Sequence, residues 1–442
     1  MNIVSYRGPG MAGGVSTALD RLYQSGGRNQ SWWYLDQDQV KSQSSVRLYN
    51  SEKIPSQLRD AHYRFCNEFI WPIMHDLAEH AVYKEDDYFL YSRFNATFAA
   101  HIDRQESQNP YFVQDYQLAL LPKLLERQGR ESAIFWHIPW PKSVPQEYVA
   151  PIVDLARAML SARAIGFHTQ EYVDNFNSFV EKHLTFMASS RLFGKLAEVV
   201  AAPLGLDLEH WSEENEGKAS TLAQQLQSTP FILSVERADY TKGVVDRLKA
   251  IDLIFERNPE LRETITFVQI CGRTRPGIKA YDNYWKACQE EINHLQEKYG
   301  TENWKPVVSI SQSLNSDELT YLYRKAAVML VSPVRDGLNL TAKEFIACQT
   351  SERPGILALS TGAGVAKEFS RYAVTFEPGN VEAIAAATLR CLNMPSTQRH
   401  RRTLKLKQNL QANPLQLWCD TFTNVLYSDE NVAQLELHRQ EA

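Results

Sequence analysis

The segment from Val328 to Thr350 carries side chains that could bind an anionic, hydroxyl-rich ligand. Its apolar start, Val328–Val331, predicts a buried strand, and a helix is predicted to begin near Asn339. A helix start of this kind offers unpaired N–H groups to an anion. The loop and helix supply Asp336, Gly337, Asn339, Lys343 and Glu344. This set fits a phosphorylated, polyhydroxylated ligand, and an amphipathic surface helix with a charged face is the alternative.

A second charged segment, Ser234–Gly243, also follows a predicted strand and precedes a helix. Arg237 and Lys242 lie five residues apart, so both can reach one anion. Two fixed cations would stabilise the charge that develops on a leaving diphosphate. Arg275, after the next strand, is a further anion candidate. Ordinary exposed clusters of charged side chains are the alternative at both places.

Two strand ends in the first half carry other candidates, Asp115 and His137. A carboxylate and an imidazole can bind sugar hydroxyls, although a histidine beside prolines is more often structural. The loop Gly8–Gly13 matches the pattern GxGxxG, and a later strand ends at Asp36, as in nicotinamide dehydrogenases. Asp36 lies beyond the usual spacing of about 20 residues, which weakens that alternative.

The composition excludes several other classes of function. A net charge of −5 argues against nucleic acid as a partner, since phosphate binding usually leaves a basic excess. No apolar run reaches membrane-spanning length, and no His/Cys/Glu cluster has zinc spacing. The six cysteines form no CxxC pair. We therefore expect a cytoplasmic protein without a cofactor or metal, in which a homo-oligomer remains compatible with the sequence.

Apolar strands alternate with helical stretches along both halves of the chain, which predicts an α/β fold with parallel sheets. We expect two Rossmann-like domains with a ligand cleft between them, at residues 1–206 and 229–414. The polar segment 207–228 is the predicted linker, and a helix over about 415–442 is expected to pack back on the first domain. The predicted strands are Ile3–Ser5, Trp32–Leu35, Phe112–Val113, Ala133–His137, Ala164–His168, Phe231–Val235, Thr266–Cys271, Val307–Ser309, Val328–Val331, Ile356–Leu359 and Ala373–Phe376.

The ordered set of motifs resembles the trehalose-6-phosphate synthase family, which are retaining glycosyltransferases of family 20. The motifs are SYR, AGG, QDYQL, HIPWP, IGFHT, SVERADYTKG, RTRPG, VRDGLNLTAKEF and LSTGAG. The resemblance implies the GT-B fold, with two Rossmann-like domains facing each other across a cleft. It also implies glucose transfer from a nucleotide-diphosphate-glucose to a phosphorylated acceptor, here glucose 6-phosphate.

The resemblance assigns a role to each matching residue. The donor-binding set is Gly13, Gly14, Arg237, Lys242, Asp336, Gly337, Asn339, Leu340 and Glu344. The catalytic set is Arg237, Lys242, Asp336, His137 and Asp115. The acceptor-binding set is Arg7, His62, Tyr63, Trp71, Asp115 and Arg275, in which His62 and Tyr63 are alternatives for one tyrosine of the family.

Departures from the family pattern lie on the acceptor side. The usual HDYHL reads Gln114-Asp115-Tyr116-Gln117-Leu118, and Tyr6 replaces an asparagine. Acceptors of relatives therefore stay open, namely glycerol 3-phosphate (a glucosylglycerol-phosphate synthase) and a cyclitol phosphate (a pseudo-glycosyltransferase). Two alternatives from other classes also remain, an NAD-dependent dehydrogenase and a non-catalytic nucleotide-sugar sensor.

Overall fold

A computed structural model describes residues 1–9, 14–25, 30–36, 49–50, 54–103, 109–184, 197–211 and 230–440. Its contacts divide the chain into two compact units, residues 1–204 with 415–442 and residues 205–414. Residues 207–211 of the predicted linker belong to the second unit, where Trp211 packs its ring 5.9 Å from that of Tyr323. The rest of that predicted linker lies outside the described residues.

The strands are numbered in chain order. Those of the first unit are β1 (Asn2–Val4), β2 (Trp32–Trp33), β3 (Leu35–Asp36), β4 (Tyr49–Asn50), β5 (Tyr111–Gln114), β6 (Ser132–Phe135), β7 (Ala164–Phe167) and β8 (Glu198–Ala201). Those of the second unit are β9 (Phe231–Ala238), β10 (Thr266–Arg273), β11 (Val307–Ile310), β12 (Val328–Val331), β13 (Ile356–Ser360) and β14 (Val374–Phe376).

The helices follow the same convention. They are α1 (Gly14–Ser25), α2 (Ser56–Arg64), α3 (Trp71–Met74), α4 (Glu85–Asp103), α5 (Leu121–Arg127), α6 (Val149–Met159), α7 (Gln170–His183), α8 (Val244–Arg257), α9 (Lys279–Tyr299), α10 (Ser316–Lys325), α11 (Leu340–Cys348), α12 (Ala366–Phe369), α13 (Val381–Leu392), α14 (Ser396–Ala412) and α15 (Leu415–Gln440). A π-helical segment, Phe65–Ile70, joins α2 to α3.

The first unit is built on a parallel sheet with the strand order β2-β1-β5-β6-β7-β8. Its inner strands are wholly buried, because helices must cover both faces of a parallel sheet. The C-terminal helix α15 packs on β6 and β7, where Phe422 lies 5.4 Å from Phe135 between ring centroids. The chain adds β2 on one side of β1 and adds β5 and the later strands on the other side. The loops after β1 and β5 therefore border a topological switch point.

The second unit has a parallel sheet with the strand order β11-β10-β9-β12-β13-β14. Helices α8, α9 and α13 pack together, as do α10, α11 and α14. The order is that of a doubly wound nucleotide-binding sheet, whose switch point lies between its first and fourth strands, here β9 and β12. The charged residues of both segments lie at or just beyond the carboxyl ends of these two strands, Arg237 just before the end of β9 and Asp336 in the loop after β12.

Three local features differ from the sequence-based expectation. Helix α4 was missed, although Tyr91, Phe94, Phe98 and Ile102 recur at helical spacing and are fully buried. The edge strand β8 was also missed, because its four residues are exposed or half-buried and give no apolar alternation. The apolar residues of Ser56–Ala81 recur at helical spacing, which predicts a helix over this stretch, but the helical segments end at Met74 and only a short 3-10 turn, Ala78–His80, follows.

Candidate active site

Lys242 lies at the centre of a buried polar network in the second unit. It ends a short 3-10 turn after β9, and Gly243 then turns the chain into α8 with φ of 60°. A side chain at Gly243 would place its Cβ 2.1 Å from the carbonyl oxygen of Ser332, after β12. This close approach requires glycine and holds the two loops of the switch point together.

The ammonium group of Lys242 binds a carboxylate from the other loop. Its Nζ lies 2.5 Å from Oδ2 of Asp336 and 4.0 Å from Oε2 of Glu236. Asn339 completes the network, because its amide donates to Glu236 at 2.6 Å and to Asp336 at 3.1 Å. The structure thus brings together Lys242, Asp336 and Asn339, three predicted donor-site residues from two strand ends.

The charges of this network depend on each other. Burial alone would lower the pKa of Lys242, but the carboxylates of Asp336 and Glu236 outweigh it and hold that pKa above its usual value. Burial raises the pKa of Glu236, even though Lys242 acts in the opposite sense. Lys242 is therefore a cation at neutral pH, held by carboxylates in a position where a ligand phosphate could replace them.

Asp239 connects two further predicted cations, Arg237 and Arg275. Its Oδ2 lies 3.7 Å from Arg237 and 3.4 Å from Arg275, and its Oδ1 accepts from the backbone and hydroxyl of Thr241. Burial alone would raise the pKa of Asp239, but these cations, with Lys242, hold it below its usual range. Arg275 also donates to the hydroxyl of Tyr281. An ionised Asp239 thus positions both guanidinium groups near one strand end.

The loop that carries Asp336 and Gly337 is fixed by the glycine-rich loop after β13. Backbone N–H groups of Asp336, Gly364 and Val365 donate across the two loops at 2.8–3.1 Å. A Cβ on Gly364 would lie 2.0 Å from the carbonyl oxygen of Gly337. The LSTGAG motif therefore has a structural explanation, since only glycine permits this contact.

Helix α11 begins directly after the loop. Asn339 caps it, accepting from the N–H of Ala342 at 3.1 Å, and Leu340 is its first residue. Glu344 accepts from the Tyr323 hydroxyl at 2.9 Å, and burial raises its pKa to about 7. Lys343, which is fully buried, pairs with Glu368 at 2.8 Å and thus has a packing role.

In the first unit, Asp115 and His137 follow the adjacent strands β5 and β6. Oδ1 of Asp115 accepts from the backbone N–H groups of Tyr116 and His137, at 3.0 and 3.1 Å. Burial lowers the pKa of His137 to about 3, so the ring is neutral. Both of its nitrogens have neighbours, Gln114 at 2.9 Å and His168 at 3.3 Å.

The other predicted residues of the first unit lie at several places. Arg7 is exposed just after β1, Gly14 begins α1, and Gly13 lies outside the described residues. His62 is buried, stacks 3.8 Å from Phe94 between ring centroids, and has a pKa that burial lowers to about 4.

Tyr63, the alternative to His62, is half-buried. Trp71 is buried 4.2 Å from His75, between ring centroids. The environment of His62 is that of a core residue, so Tyr63 is the better candidate of the two. For the dehydrogenase alternative, Gly10–Gly13 and the side chain of Asp36 lie outside the described residues.

Backbone conformation marks some of the same residues. Five non-glycine residues of the described chain have positive φ, and three of them are Asp115, Arg275 and Asn339, at 69°, 49° and 82°. Such conformations are costly and gather at functional sites. Their coincidence with predicted site residues supports a functional role for these loops.

Sequence reasoning missed four residues. Glu236 and Asp239 belong to the charged network around Lys242 in the second unit, and Gln114 and His168 contact His137 in the first unit. Glu236 and Asp239 lie within the motif SVERADYTKG, so a signal was present, but their roles depend on contacts from other strands. No group of three His, Cys, Asp or Glu suitable for a metal occurs in the described part of the chain. Within the same ranges, none of the helices combines the length and the apolar character needed to cross a bilayer.

Two doubly wound parallel sheets with charged loops at their switch points are the architecture of the GT-B class, and solved GT-B structures match this chain. The model of glycosyltransferase family 20 matches residues 28–428, and the chain belongs to that family.

Similar proteins include alpha,alpha-trehalose-phosphate synthase [UDP-forming] 2 of Aspergillus fumigatus, 30% identical over 83% of this chain and 80% of that protein. Trehalose-6-phosphate synthase of Sinorhizobium fredii is 29% identical over 87% of this chain and 85% of its own length. The crystal structure of a UDP-forming alpha,alpha-trehalose-phosphate synthase from Burkholderia xenovorans in complex with glucose-6-phosphate has a TM-score of 0.87. The Burkholderia chain is 26% identical to this one, and the match covers 96% of this chain and 99% of the Burkholderia chain. The predicted class of enzyme, a glycosyltransferase, is thereby confirmed.

Proposed function

We propose that this chain transfers glucose from UDP-glucose to glucose 6-phosphate, yielding trehalose 6-phosphate and UDP with retention at the anomeric carbon. Relatives described as UDP-forming synthases, one of them solved with glucose-6-phosphate, support both substrates. The observation that carries the proposal is the buried cation Lys242, bound to Asp336 at the switch point of the second sheet.

The donor would bind with its diphosphate on Lys242 and Arg237. Phosphate oxygens would take over the place that Asp336 and Glu236 occupy beside Lys242, since their carboxylates lie 2.5 and 4.0 Å from it. Glu344 would accept from the ribose hydroxyls. The two cations stabilise the negative charge that develops on the leaving diphosphate, which is commonly the largest electrostatic contribution to catalysis.

The chemical step needs no metal and no cofactor in this proposal. The bond between the anomeric carbon and the diphosphate oxygen breaks, and the acceptor hydroxyl oxygen attacks from the same face. Its proton passes to the leaving phosphate oxygen, so UDP carries away the electron pair of the broken bond. The protein supplies charge and placement, and precise placement of reactants accounts for much of the rate in such reactions.

The proposed acceptor residues of the first unit are Arg7, Tyr63, Trp71 and Asp115, and the family resemblance adds Arg275 of the second unit. Arg275 is held by Asp239 and Tyr281, which leaves its guanidinium group nearly buried and fixed in orientation. We place the reaction in the cytoplasm, where the six buried free cysteines would stay reduced.

A product assay tests the proposal directly. The purified protein is incubated with UDP-glucose and glucose 6-phosphate, with and without a chelator. We expect UDP and a disaccharide phosphate in equal amounts, unchanged by the chelator, with the anomeric configuration read by proton NMR. Glycerol 3-phosphate and a cyclitol phosphate as acceptors test the two related activities. Donor binding without any product would instead indicate a sensor.

The matched variants are Lys242→Ala and Lys249→Ala. Lys249 lies on α8 with a half-exposed side chain, so its loss should leave turnover unchanged. Lys242→Ala should reduce kcat by orders of magnitude, and removing one partner of a buried pair should also cost about 3–5 kcal/mol of stability. Circular dichroism confirms that the variant is folded at the assay temperature. Near-normal turnover of folded Lys242→Ala would contradict the assignment.

A further inference from the structure

Three buried polar side chains of the first unit form a continuous chain of hydrogen bonds. Gln114 ends β5, and His137 and His168 follow the adjacent strands β6 and β7; their exposed fractions are 2%, 8% and 4%. Oε1 of Gln114 lies 2.9 Å from Nε2 of His137, and Nδ1 of His137 lies 3.3 Å from Nε2 of His168. The backbone N–H of Leu204 lies 3.3 Å from Nδ1 of His168 and ends the chain.

The backbone of Leu204 sets the direction of every hydrogen bond in this chain. An N–H can only donate, so Nδ1 of His168 is an acceptor, and the single proton of the neutral ring is on Nε2. That proton is donated to Nδ1 of His137, which places the proton of the second ring on its Nε2. The Nε2–H of His137 then donates to Oε1 of Gln114.

The reversed arrangement is excluded by the same contacts. If the amide of Gln114 were turned, its NH2 would donate to Nε2 of His137, and Nδ1–H of that ring would donate to His168. His168 would then accept at both nitrogens and carry no proton, which an imidazole does not do near neutral pH. The positions of the oxygen and nitrogen in a glutamine side chain are usually assigned rather than observed, and here the network fixes them.

The amide nitrogen of Gln114 is left as the terminal donor. It is buried and has no hydrogen-bond partner among the described residues. Buried polar groups are nearly always paired in native proteins, so an orphan of this kind points to an acceptor that the protein does not supply. Asp115, the next residue, is the predicted sugar-binding carboxylate. The family pattern HDYHL has a histidine at the place of Gln114, whose ring could donate or accept, whereas the free end of the Gln114 amide can only donate.

We propose that Gln114 is a substrate-binding residue whose amide nitrogen donates to a hydroxyl oxygen of a bound sugar, with His137 and His168 holding it in that orientation. The inference rests on the proposed function for the identity of the sugar. It moves the direct contact from His137, the residue assigned by resemblance, to Gln114, because both ring nitrogens of His137 are already engaged. His137 then acts as a positioning residue.

Two variants separate binding from folding. Gln114→Glu keeps the oxygen that accepts from His137 and removes the donor, and Gln114→Leu removes both. Gln128→Leu is the control, since Gln128 is a half-buried glutamine of the same unit whose amide donates to the backbone of Ala99 at 3.2 Å. Calorimetric titrations with UDP-glucose alone, and with glucose 6-phosphate in the presence of UDP, show which of the two sugars the amide contacts.

The tautomers are read independently by nitrogen-15 NMR of the histidine rings at pH 7. We expect Nε2–H on both His137 and His168 in the wild-type protein. In Gln114→Glu we expect the same tautomer above the pKa of His137, together with a raised pKa, because a carboxylate then faces the ring. Binding of one ligand should weaken about tenfold or more in both variants, and the control should bind normally.

Wild-type affinity for both ligands in Gln114→Leu, or a proton on Nδ1 of His137, would overturn the proposal. If the wild-type protein bound neither ligand, the proposed function would fail, and the substrate role of Gln114 would fail with it. In that case the NMR spectrum would still decide whether Gln114 is the donor end of the chain.

Discussion

Replacing Glu344 by glutamine should alter how the stability of the second unit depends on pH. Burial raises the pKa of this carboxyl from 4.5 to about 7, so the folded state binds the proton more tightly than the unfolded state. The stabilisation is fully present below pH 4.5 and is lost as the pH rises through about 7. At about 1.4 kcal/mol per pH unit, the whole effect is about 3 kcal/mol.

The measurement is the free energy of unfolding in urea at several pH values between 5 and 8. Hydrogen exchange of the strands β9 and β12 assigns the transition to the second unit. Glutamine cannot titrate, so the wild-type stability minus the variant stability should fall by about 2–3 kcal/mol across this range. The glutamine oxygen can still accept from the hydroxyl of Tyr323, which limits other effects of the substitution.

The control is Glu382→Gln, because Glu382 is exposed and its pKa is lowered by a hydrogen bond from Arg257. It is ionised in both the folded and the unfolded state between pH 5 and 8, so its difference should stay flat. If the Glu344→Gln difference were also flat, or increased with pH, the argument that Glu344 is desolvated would be refuted.

Two further predictions concern close packing. Gly243→Ala should destabilise the second unit by more than the ~1–2 kcal/mol of a left-handed residue alone, because its Cβ would lie 2.1 Å from the oxygen of Ser332. Gly379 has φ of 70°, but a Cβ added there would have no atom within 4 Å, so Gly379→Ala should show only the conformational cost. Equal losses of unfolding free energy for Gly243→Ala and Gly379→Ala in urea would contradict the predicted steric clash. Trp418→Ala should lower the stability of the first unit by about 3–5 kcal/mol. Trp418 is 2% exposed, whereas Leu417 is 52% exposed. Leu417→Ala should therefore change the stability by at most about 0.5 kcal/mol in the same experiment. Similar losses for Trp418→Ala and Leu417→Ala would contradict the core position of Trp418.

Much of the second unit could be predicted from the sequence, because its site residues follow long apolar strands. The apolar run Val328–Val331 and the cap at Asn339 define a strand, a loop and a helix by local signals alone. The bond between Lys242 and Asp336 could not be predicted in this way. It joins residues 94 apart in the sequence and depends on β9 and β12 being neighbours, which is a property of the sheet order.

The first unit shows a different limit of sequence reasoning. His137 was identified by its position at a strand end and by resemblance, and both signals are local. Its tautomer depends on Leu204, whose N–H reaches the neighbouring ring of His168 from 36 residues along the chain. The direction of a hydrogen-bond network is a property of all its members together, so no single motif could reveal it.

The C-terminal helix α15 has a consequence for the synthesis of this protein. Its residue Phe422 packs 4.8 Å from Phe112 of β5, and a Cβ on Gly166 of β7 would lie 2.3 Å from the Phe422 ring. The central strands of the first unit are made early, but the helix that covers them is made only after the whole second unit. A growing chain therefore exposes an uncovered, aromatic sheet face to the ribosome surface and to chaperones, and the part of the molecule that is translated first is the last to be completed.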